Sequence, residues 1–166
     1  MKTHSGEVLP KTEVIGSTIR MHFNEVVTVN TNYTDHCYDT VSVILPESPN
    51  LDQIKDAYKT LFRGIYDILS NGNVVVGSGL TAVTYQGGFD SAIKLDAAKR
   101  LSETSGLTSV TFFDIYNKPH TLAIPDATTV ILSVATAFQS SISRKQTAMV
   151  AVDQAVDAAG VSAVVY

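Results

Sequence analysis

The sequence predicts an α+β fold, in which an N-terminal antiparallel sheet with one amphipathic helix precedes a unit of helix, β-hairpin and long helix. Three patterns predict this fold. Short runs of β-branched residues fill the first 45 positions, an apolar stripe with helical spacing covers 51–69, and an alanine-rich stretch with similar spacing covers 126–160. At 166 residues, the chain can bury a core without disulfides.

The first 45 residues predict three or four antiparallel strands. Two β-branched runs cover 18–23 and 25–29, and the segment 30–32 (Asn-Thr-Asn) is a turn signal. Residues 38–45 alternate between two faces, as a half-buried strand does, and Pro46 ends that strand.

Residues 51–69 predict one amphipathic helix. Pro49-Asn50 supplies the N-terminal cap, and Asn71-Gly72 supplies the left-handed stop. Its apolar positions recur at steps of three and four, opposite a charged face. They are Leu51, Ile54, Ala57, Tyr58, Leu61, Phe62, Ile65, Tyr66 and Leu69. We expect this stripe to pack on the preceding sheet.

A change of pattern after residue 85 predicts a domain boundary. Two short strands are predicted at 73–76 and 80–85, around Gly77-Ser78-Gly79. Residues 86–88 (Gln-Gly-Gly) then separate two differently patterned halves, so we expect them to form a linker. This interpretation gives one domain at 1–85 and a second at 89–166.

The second half begins with a predicted helix that is capped by Asp90 and ends near Gly106. Ile93, Ala97 and Leu101 are spaced by four residues and form its expected packing face, with Ala98 beside them.

A β-hairpin is predicted next. Its strands cover 110–116 and 120–124, and its turn of two or three residues contains Asn117-Lys118-Pro119.

The last predicted helix begins at Asp126, ends at Gly160 and is followed by a strand at 161–166. Its length would be ~50 Å, at about 1.5 Å per residue. A domain of ~75 residues has a radius of gyration of only about 11 Å, so it cannot cover so long an apolar stripe. Either the upstream domain or another chain must cover the rest. The predicted partner interface consists of Val130, Val134, Phe138, Ile142, Met149, Val152 and Val156.

Two short motifs suggest chemistry, and each has a simpler structural explanation. Residues 77–82 (Gly-Ser-Gly-Leu-Thr-Ala) fit a dinucleotide-binding fingerprint, but strand residues follow where that fingerprint requires a helix, so a hairpin turn is predicted instead. For the same reason Ser78 does not fit a nucleophile elbow. Residues 36–39 (His-Cys-Tyr-Asp) offer three metal ligands, but a structural zinc site needs four that converge. We expect Cys37 to be buried as a small hydrophobe, with its polar neighbours facing water. The sequence thus predicts no catalytic, cofactor-binding or metal-binding residue.

Composition argues against several classes of partner. The chain has 16 acidic and 12 basic residues, a net charge of −4 and no basic run, which disfavours a nucleic-acid or anionic-membrane surface. Neither uncharged stretch, 68–89 or 127–143, has the ~20 predominantly apolar residues that span a membrane. The single cysteine cannot form an internal disulfide, and the first residues lack an apolar signal core. We therefore expect synthesis in a cytoplasm.

The stretch from Tyr85 to Gly160 resembles a domain of unknown function found in bacteriophage proteins encoded near tail-fibre genes. The resemblance rests on Phe89-Asp90 opening a helix, the segment 106–112 with Asp114 and Asn117 in the hairpin, and the helix after Pro125-Asp126. Family members often carry tryptophan where Phe112 stands, and either residue serves as a large apolar anchor beneath the long helix. The resemblance implies a tail component or a tail-fibre-associated factor.

Together these observations favour a non-enzymatic structural component of a phage tail, at the baseplate or where fibres attach. We expect it to be made in the host cytoplasm, to be located in the virion, and to bind other tail proteins, including the tail fibre, in a homo- or hetero-oligomer. Two alternatives stay open. One is a tail-fibre assembly chaperone that is not retained in the virion, and the other is a glycan-acting enzyme.

Overall fold

A computed structural model describes residues 1–29 and 34–166, so the turn predicted at 30–32 lies outside the described residues. The fold is α+β, as predicted. The N-terminal strands are β1 (Lys2–Ser5), β2 (Thr12–Ile15), β3 (Thr18–Val29) and β4 (Thr34–Ile44). The later elements are α1 (Leu51–Leu69), β5 (Val74–Val76), β6 (Val83–Tyr85), α2 (Phe89–Thr104), β7 (Ser109–Phe113), β8 (Pro119–Ala123), α3 (Ile124–Gln154) and α4 (Ala158–Ser162).

The first four strands form one antiparallel sheet in the order β1-β4-β3-β2, which confirms the predicted N-terminal sheet. The two runs predicted as separate strands, 18–23 and 25–29, belong to the single strand β3. Its pairing with β4 shifts register between Phe23 and Val26. A bulge of this kind absorbs an irregular position without ending the strand.

Helix α1 begins where the sequence predicts. The Asn50 side chain accepts a hydrogen bond from Gln53 N at 2.9 Å, and the Gln53 side chain accepts one from Asn50 N at 3.0 Å, so each caps the other. Five residues of the predicted stripe are buried, namely Ala57, Tyr58, Leu61, Phe62 and Ile65. A Cβ on Gly64 would lie 3.2 Å from Val41 Cγ1, so α1 packs closely on β4 as expected.

The hairpin of β7 and β8 packs on a core that contains Phe112. The buried residues of this cluster are Tyr85, Val110, Phe112, Ala127, Val130 and Val134. Phe112 is only 2% exposed and packs with the first turns of α3, which is the anchor position expected for it.

The turn of this hairpin is longer than predicted. Five residues, 114–118, connect β7 to β8. The Asp114 carboxylate accepts hydrogen bonds from Tyr116 N at 2.8 Å and Lys118 N at 2.9 Å, and Asn117 adopts a φ of +59°. A side chain that satisfies two backbone N–H groups stabilises a loop wider than a tight turn.

Helix α3 differs from the prediction at both ends. It begins at Ile124, before Asp126, and ends at Gln154 rather than Gly160. The strand predicted at 161–166 is wrong, because residues 158–162 form α4 and residues 163–166 belong to no strand. Asp157 Oδ1 accepts a hydrogen bond from Gly160 N at 2.7 Å, and such a cap allows a new helix to start after the break.

The chain divides into two compact units, Met1–Ile65 with Thr147–Tyr166, and Tyr66–Gln146. This division differs from the predicted boundary at 86–88. Whether residues 1–85 and 89–166 fold independently stays a prediction. Gly87 and Gly88 are buried, and a Cβ on Gly87 would lie 1.9 Å from the Gly72 carbonyl oxygen. Here glycine permits a close approach of two backbone segments.

Candidate functional site

The outward face of α2 is the largest departure from the sequence prediction in the second unit. Ile93, Ala97 and Leu101 were expected to pack inward, but Ile93 is 50% exposed, Leu101 is 70% exposed and Ala97 is also exposed. The residues that pack on the core are Ala92, Leu95 and Ala98. The predicted packing face is therefore wrong. Two alanines on the inner side allow α2 to approach the core closely.

Phe89 extends this exposed set into one continuous row. It precedes Ile93 by four residues and is 55% exposed. We call Phe89, Ile93, Ala97 and Leu101 the α2 stripe. The stripe runs ~18 Å along the helix, at about 1.5 Å per residue. Single exposed apolar residues are common on protein surfaces, whereas a contiguous row is typical of an interaction site.

The α2 stripe contacts α3 through two aromatic rings. The ring centroids of Phe89 and Phe138 lie 5.5 Å apart, with an interplanar angle of 35°. Phe138 is half-buried and is one of the seven residues predicted to bind a partner. The structure thus joins one predicted interface residue to the α2 stripe.

The other six predicted interface residues do not form one exposed seam. Val130, Val134 and Val152 are buried within the chain, and Ile142 and Met149 are half-buried. Val130 and Val134 belong to the hairpin core, so their own unit covers that part of the helix.

Val156 is 86% exposed, but it lies beyond the end of α3. Of the seven predicted interface residues, Phe138 is therefore the one best placed to contact a partner.

A chain of side-chain hydrogen bonds crosses all four strands of the N-terminal sheet. Glu13 on β2 accepts a hydrogen bond from His22 Nε2 on β3 at 3.1 Å. His22 Nδ1 lies 2.9 Å from Thr40 Oγ1 on β4, and Thr40 Oγ1 lies 2.8 Å from Thr3 Oγ1 on β1. His22 and Thr40 are buried. Because each strand contributes one member, this polar row satisfies buried groups and fixes the strand register.

Tyr38 extends the polar row along β4. Its hydroxyl accepts a hydrogen bond from Leu9 N at 3.0 Å and donates one to Glu25 at 2.9 Å. Burial raises the pKa of Tyr38. The hydrogen bond from His36, 2.5 Å long, lowers the pKa of Glu25, and the bond from Tyr38 adds to that effect.

The prediction for the segment 36–39 is therefore wrong. Tyr38 is the buried residue, with its hydroxyl bound by Leu9 N, and Cys37 is only half-buried.

Cys37 lies on the opposite side of the sheet, beside a histidine and a carboxylate. The pairing of β1 with β4 sets His4 directly across from Cys37, and Asp35 lies two residues away on the same face. His4 Nε2 is 3.8 Å from Cys37 Sγ, and His4 Nδ1 is 2.8 Å from Asp35 Oδ2. Within the part of the chain that the structure describes, no group of three or more His, Cys, Asp or Glu residues is arranged to hold a metal ion.

The glycine motif at 77–82 forms a hairpin turn, as predicted. Strands β5 and β6 pair antiparallel around a single turn of 3-10 helix, Gly79–Thr81. A cleft of about 510 Å³ opens beside them, with a mostly apolar lining that includes Val76, Val83 and Val130. Asp126 is the one charged residue among the described residues that line it. The pKa of Tyr85, at the same cleft, is raised by burial and further by the charge of Asp114.

Comparison with models of protein families, with curated proteins and with solved structures finds no match for this chain. Over residues 1–29 and 34–166, no helix has both the length and the apolar character needed to cross a membrane.

The sequence did not predict two of these features, and only the first has a local signal. The sequence shows the α2 stripe as apolar residues at steps of four, beginning with Phe89 and Ile93. A second apolar set, Ala92, Leu95 and Ala98, also has helical spacing, so spacing alone does not predict which set packs inward. The grouping of His4, Asp35 and Cys37 depends on which residues of β1 and β4 are paired. That register is set by the fold rather than by any local motif.

Proposed function

We propose that this protein is a structural component of a bacteriophage tail, located in the virion at the baseplate or fibre-attachment region. The observation that carries the proposal is the exposed α2 stripe, through which the chain would bind a neighbouring tail protein. The tail setting is supported by the resemblance of residues 85–160 to the phage domain. The proposed activity is therefore assembly through protein–protein contacts.

The α2 stripe suits a partner that presents an apolar groove. Its three large side chains, those of Phe89, Ile93 and Leu101, are all at least half exposed. Complete burial of such a side chain contributes roughly 1.5–3 kcal/mol. A row spaced by four residues is the pattern by which a helix inserts into a hydrophobic groove. Lys94 and Arg100 lie between the apolar positions and would meet a polar rim.

An inventory of purified virions tests this proposal. Mass spectrometry of particles from the phage that encodes the chain should find the protein in a fixed ratio to a known tail protein. Cryo-electron microscopy should then show α2 at a contact between two chains. Absence of the protein from finished particles contradicts the proposal.

Co-expression with the neighbouring fibre gene separates the chaperone alternative. A chaperone raises the yield of soluble fibre and is missing from particles, whereas a structural component is retained in them. Incubation with host polysaccharide tests the glycan-acting alternative, because an enzyme of that kind would shorten the polysaccharide chains.

A further inference from the structure

We propose that Cys37, His4 and Asp35 form a reactive-thiol site that undergoes exchange with disulfides. Neither the assembly role nor the α2 stripe depends on this site, which lies on the N-terminal sheet. The site would take a small or protein-borne disulfide as its co-reactant.

The carboxylate of Asp35, the imidazole of His4 and the thiol of Cys37 are arranged as in sites that activate a sulfur nucleophile. The Asp35 carboxylate accepts the hydrogen bond from His4 Nδ1 at 2.8 Å. This tautomer leaves the lone pair of His4 Nε2 directed at Cys37 Sγ, 3.8 Å away. A nucleophile beside a base that a third group orients is the arrangement found in enzymes that use cysteine or serine nucleophiles. The antiparallel pairing of His4 with Cys37 holds the imidazole and the thiol in place.

Lys2 adds a cation to the face of the sheet that carries Cys37. Lys2 lies on the same face of β1 as His4, and its ammonium group is 2.6 Å from Asp39 Oδ1. The hydrogen bond to Asp39 raises the pKa of Lys2, so this side chain stays a cation. Neighbouring cations favour the thiolate over the thiol.

A reagent can reach the site. The His4 side chain is 62% exposed, and Cys37 is half-buried rather than enclosed. His36 is the sequence neighbour of Cys37, but it points to the other face and binds Glu25. His4 therefore serves as the base, and His36 supplies a matched control.

The exchange step is balanced by the disulfide alone. His4 Nε2 accepts the proton from Cys37 S–H, and the Cys37 thiolate attacks one sulfur of the disulfide. A new bond forms between Cys37 Sγ and that sulfur while the original sulfur–sulfur bond breaks. The sulfur that leaves as a thiolate takes the proton back from His4, so one thiol is consumed and one is released.

The test measures the rate at which Cys37 of the full chain reacts with 5,5′-dithiobis(2-nitrobenzoate), followed by absorbance at neutral pH. An ordinary cysteine has a pKa near 8.5 and is only a few per cent thiolate at pH 7. In the folded protein His4 can accept the proton of the Cys37 thiol, so Cys37 should react at least ~10-fold faster than in the same chain unfolded in urea. Oxidised glutathione, with the adduct detected by mass spectrometry, should give the same order of rates.

Three variants test whether His4 and Asp35 cause the faster reaction of Cys37. His4→Gln should lower the folded rate to within ~2-fold of the unfolded rate, and Asp35→Asn should lower it partly, because the imidazole loses its orienting partner. His36→Gln should leave it unchanged. If His4→Gln does not fold, Asp35→Asn decides. A folded wild type no faster than the unfolded chain overturns the proposal. A folded His4→Gln or a deciding Asp35→Asn that reacts as fast as wild type also overturns it.

Discussion

The rings of Phe89 and Phe138 lie 5.5 Å apart, so the first residue of α2 contacts the middle of α3. This contact joins the α2 stripe to Phe138 within the unit Tyr66–Gln146. Phe138 belongs to the interface that the sequence predicted on α3, and Phe89 begins the α2 stripe that it did not predict. A partner bound to the stripe would therefore also approach Phe138.

Truncation of Phe112 should destabilise the protein strongly. Phe112 is 2% exposed at the centre of the hairpin core, so Phe112→Ala should lower the free energy of unfolding by about 3–5 kcal/mol. Its neighbour Phe113 is 60% exposed, and Phe113→Ala should change that free energy by no more than about 0.5 kcal/mol. Urea denaturation of both variants checks the difference. Similar losses for the two would show that Phe112 is not the anchor.

A methyl group at Gly87 should not fit. A Cβ there would lie 1.9 Å from the Gly72 carbonyl oxygen, so Gly87→Ala forces the backbone to move. This change should lower the free energy of unfolding by about 1–3 kcal/mol. Gly6 serves as the control, because a Cβ added there would have no atom within 4 Å, and Gly6→Ala should be nearly neutral. Thermal unfolding compares the two. A neutral Gly87→Ala would contradict the close packing of Gly87 against Gly72.

Removal of the Thr40 hydroxyl should break the polar row across the sheet. Thr40→Val leaves His22 Nδ1 and Thr3 Oγ1 without the partner they share, and an unsatisfied buried polar group costs about 1–3 kcal/mol. Ser42→Ala, two residues along the same strand at an exposed position, is the control and should have little effect. Chemical denaturation measures both. Equal stability of Thr40→Val and wild type would mean that the row contributes nothing.

Replacement of Asp114 should change stability in a pH-dependent way. The hydrogen bond from His120, together with those from Lys118 N and Tyr116 N, lowers the pKa of Asp114. A lowered pKa contributes stability above the ordinary value of 3.8, and that contribution is lost as the pH falls through the lowered value. Asp114→Asn should therefore be less stable than wild type at pH 7, and the gap should shrink below about pH 4. Thermal unfolding from pH 7 to pH 2 checks this, and a gap that widens on acidification would contradict it.

The elements that the sequence predicted well are those with a strong local pattern. The stripe of α1 has one face that is clearly apolar, and Asn50 caps it, so its bounds and buried side were predictable. Helix α2 has no such contrast, because its inner face relies on Ala92 and Ala98, which are no more apolar than the outer Ile93 and Leu101. Which set turns inward depends on the shape of the hairpin below it.

The functional clusters were harder to predict for a different reason. His22 and Thr40, or His4 and Cys37, meet only after strands distant in sequence have paired. A shift of one residue in that pairing would move every side chain to the other face of the sheet. Single-sequence patterns do not fix this register, so neither the polar row nor the thiol site could be derived from spacing.

The incorporation of α2-stripe variants into particles tests the proposed assembly role most directly. Leu101→Lys, alone and with Ile93→Lys, places a charge on the stripe without disturbing a buried residue. Leu107→Lys is the matched control, since Leu107 is 58% exposed and lies outside the stripe. With each gene replaced in the phage, the stripe variants should be incorporated at least ~10-fold less than wild type, because a charge buried in an apolar contact is strongly unfavourable. Leu107→Lys should match wild type. Folded stripe variants that enter particles at the wild-type level would contradict the account.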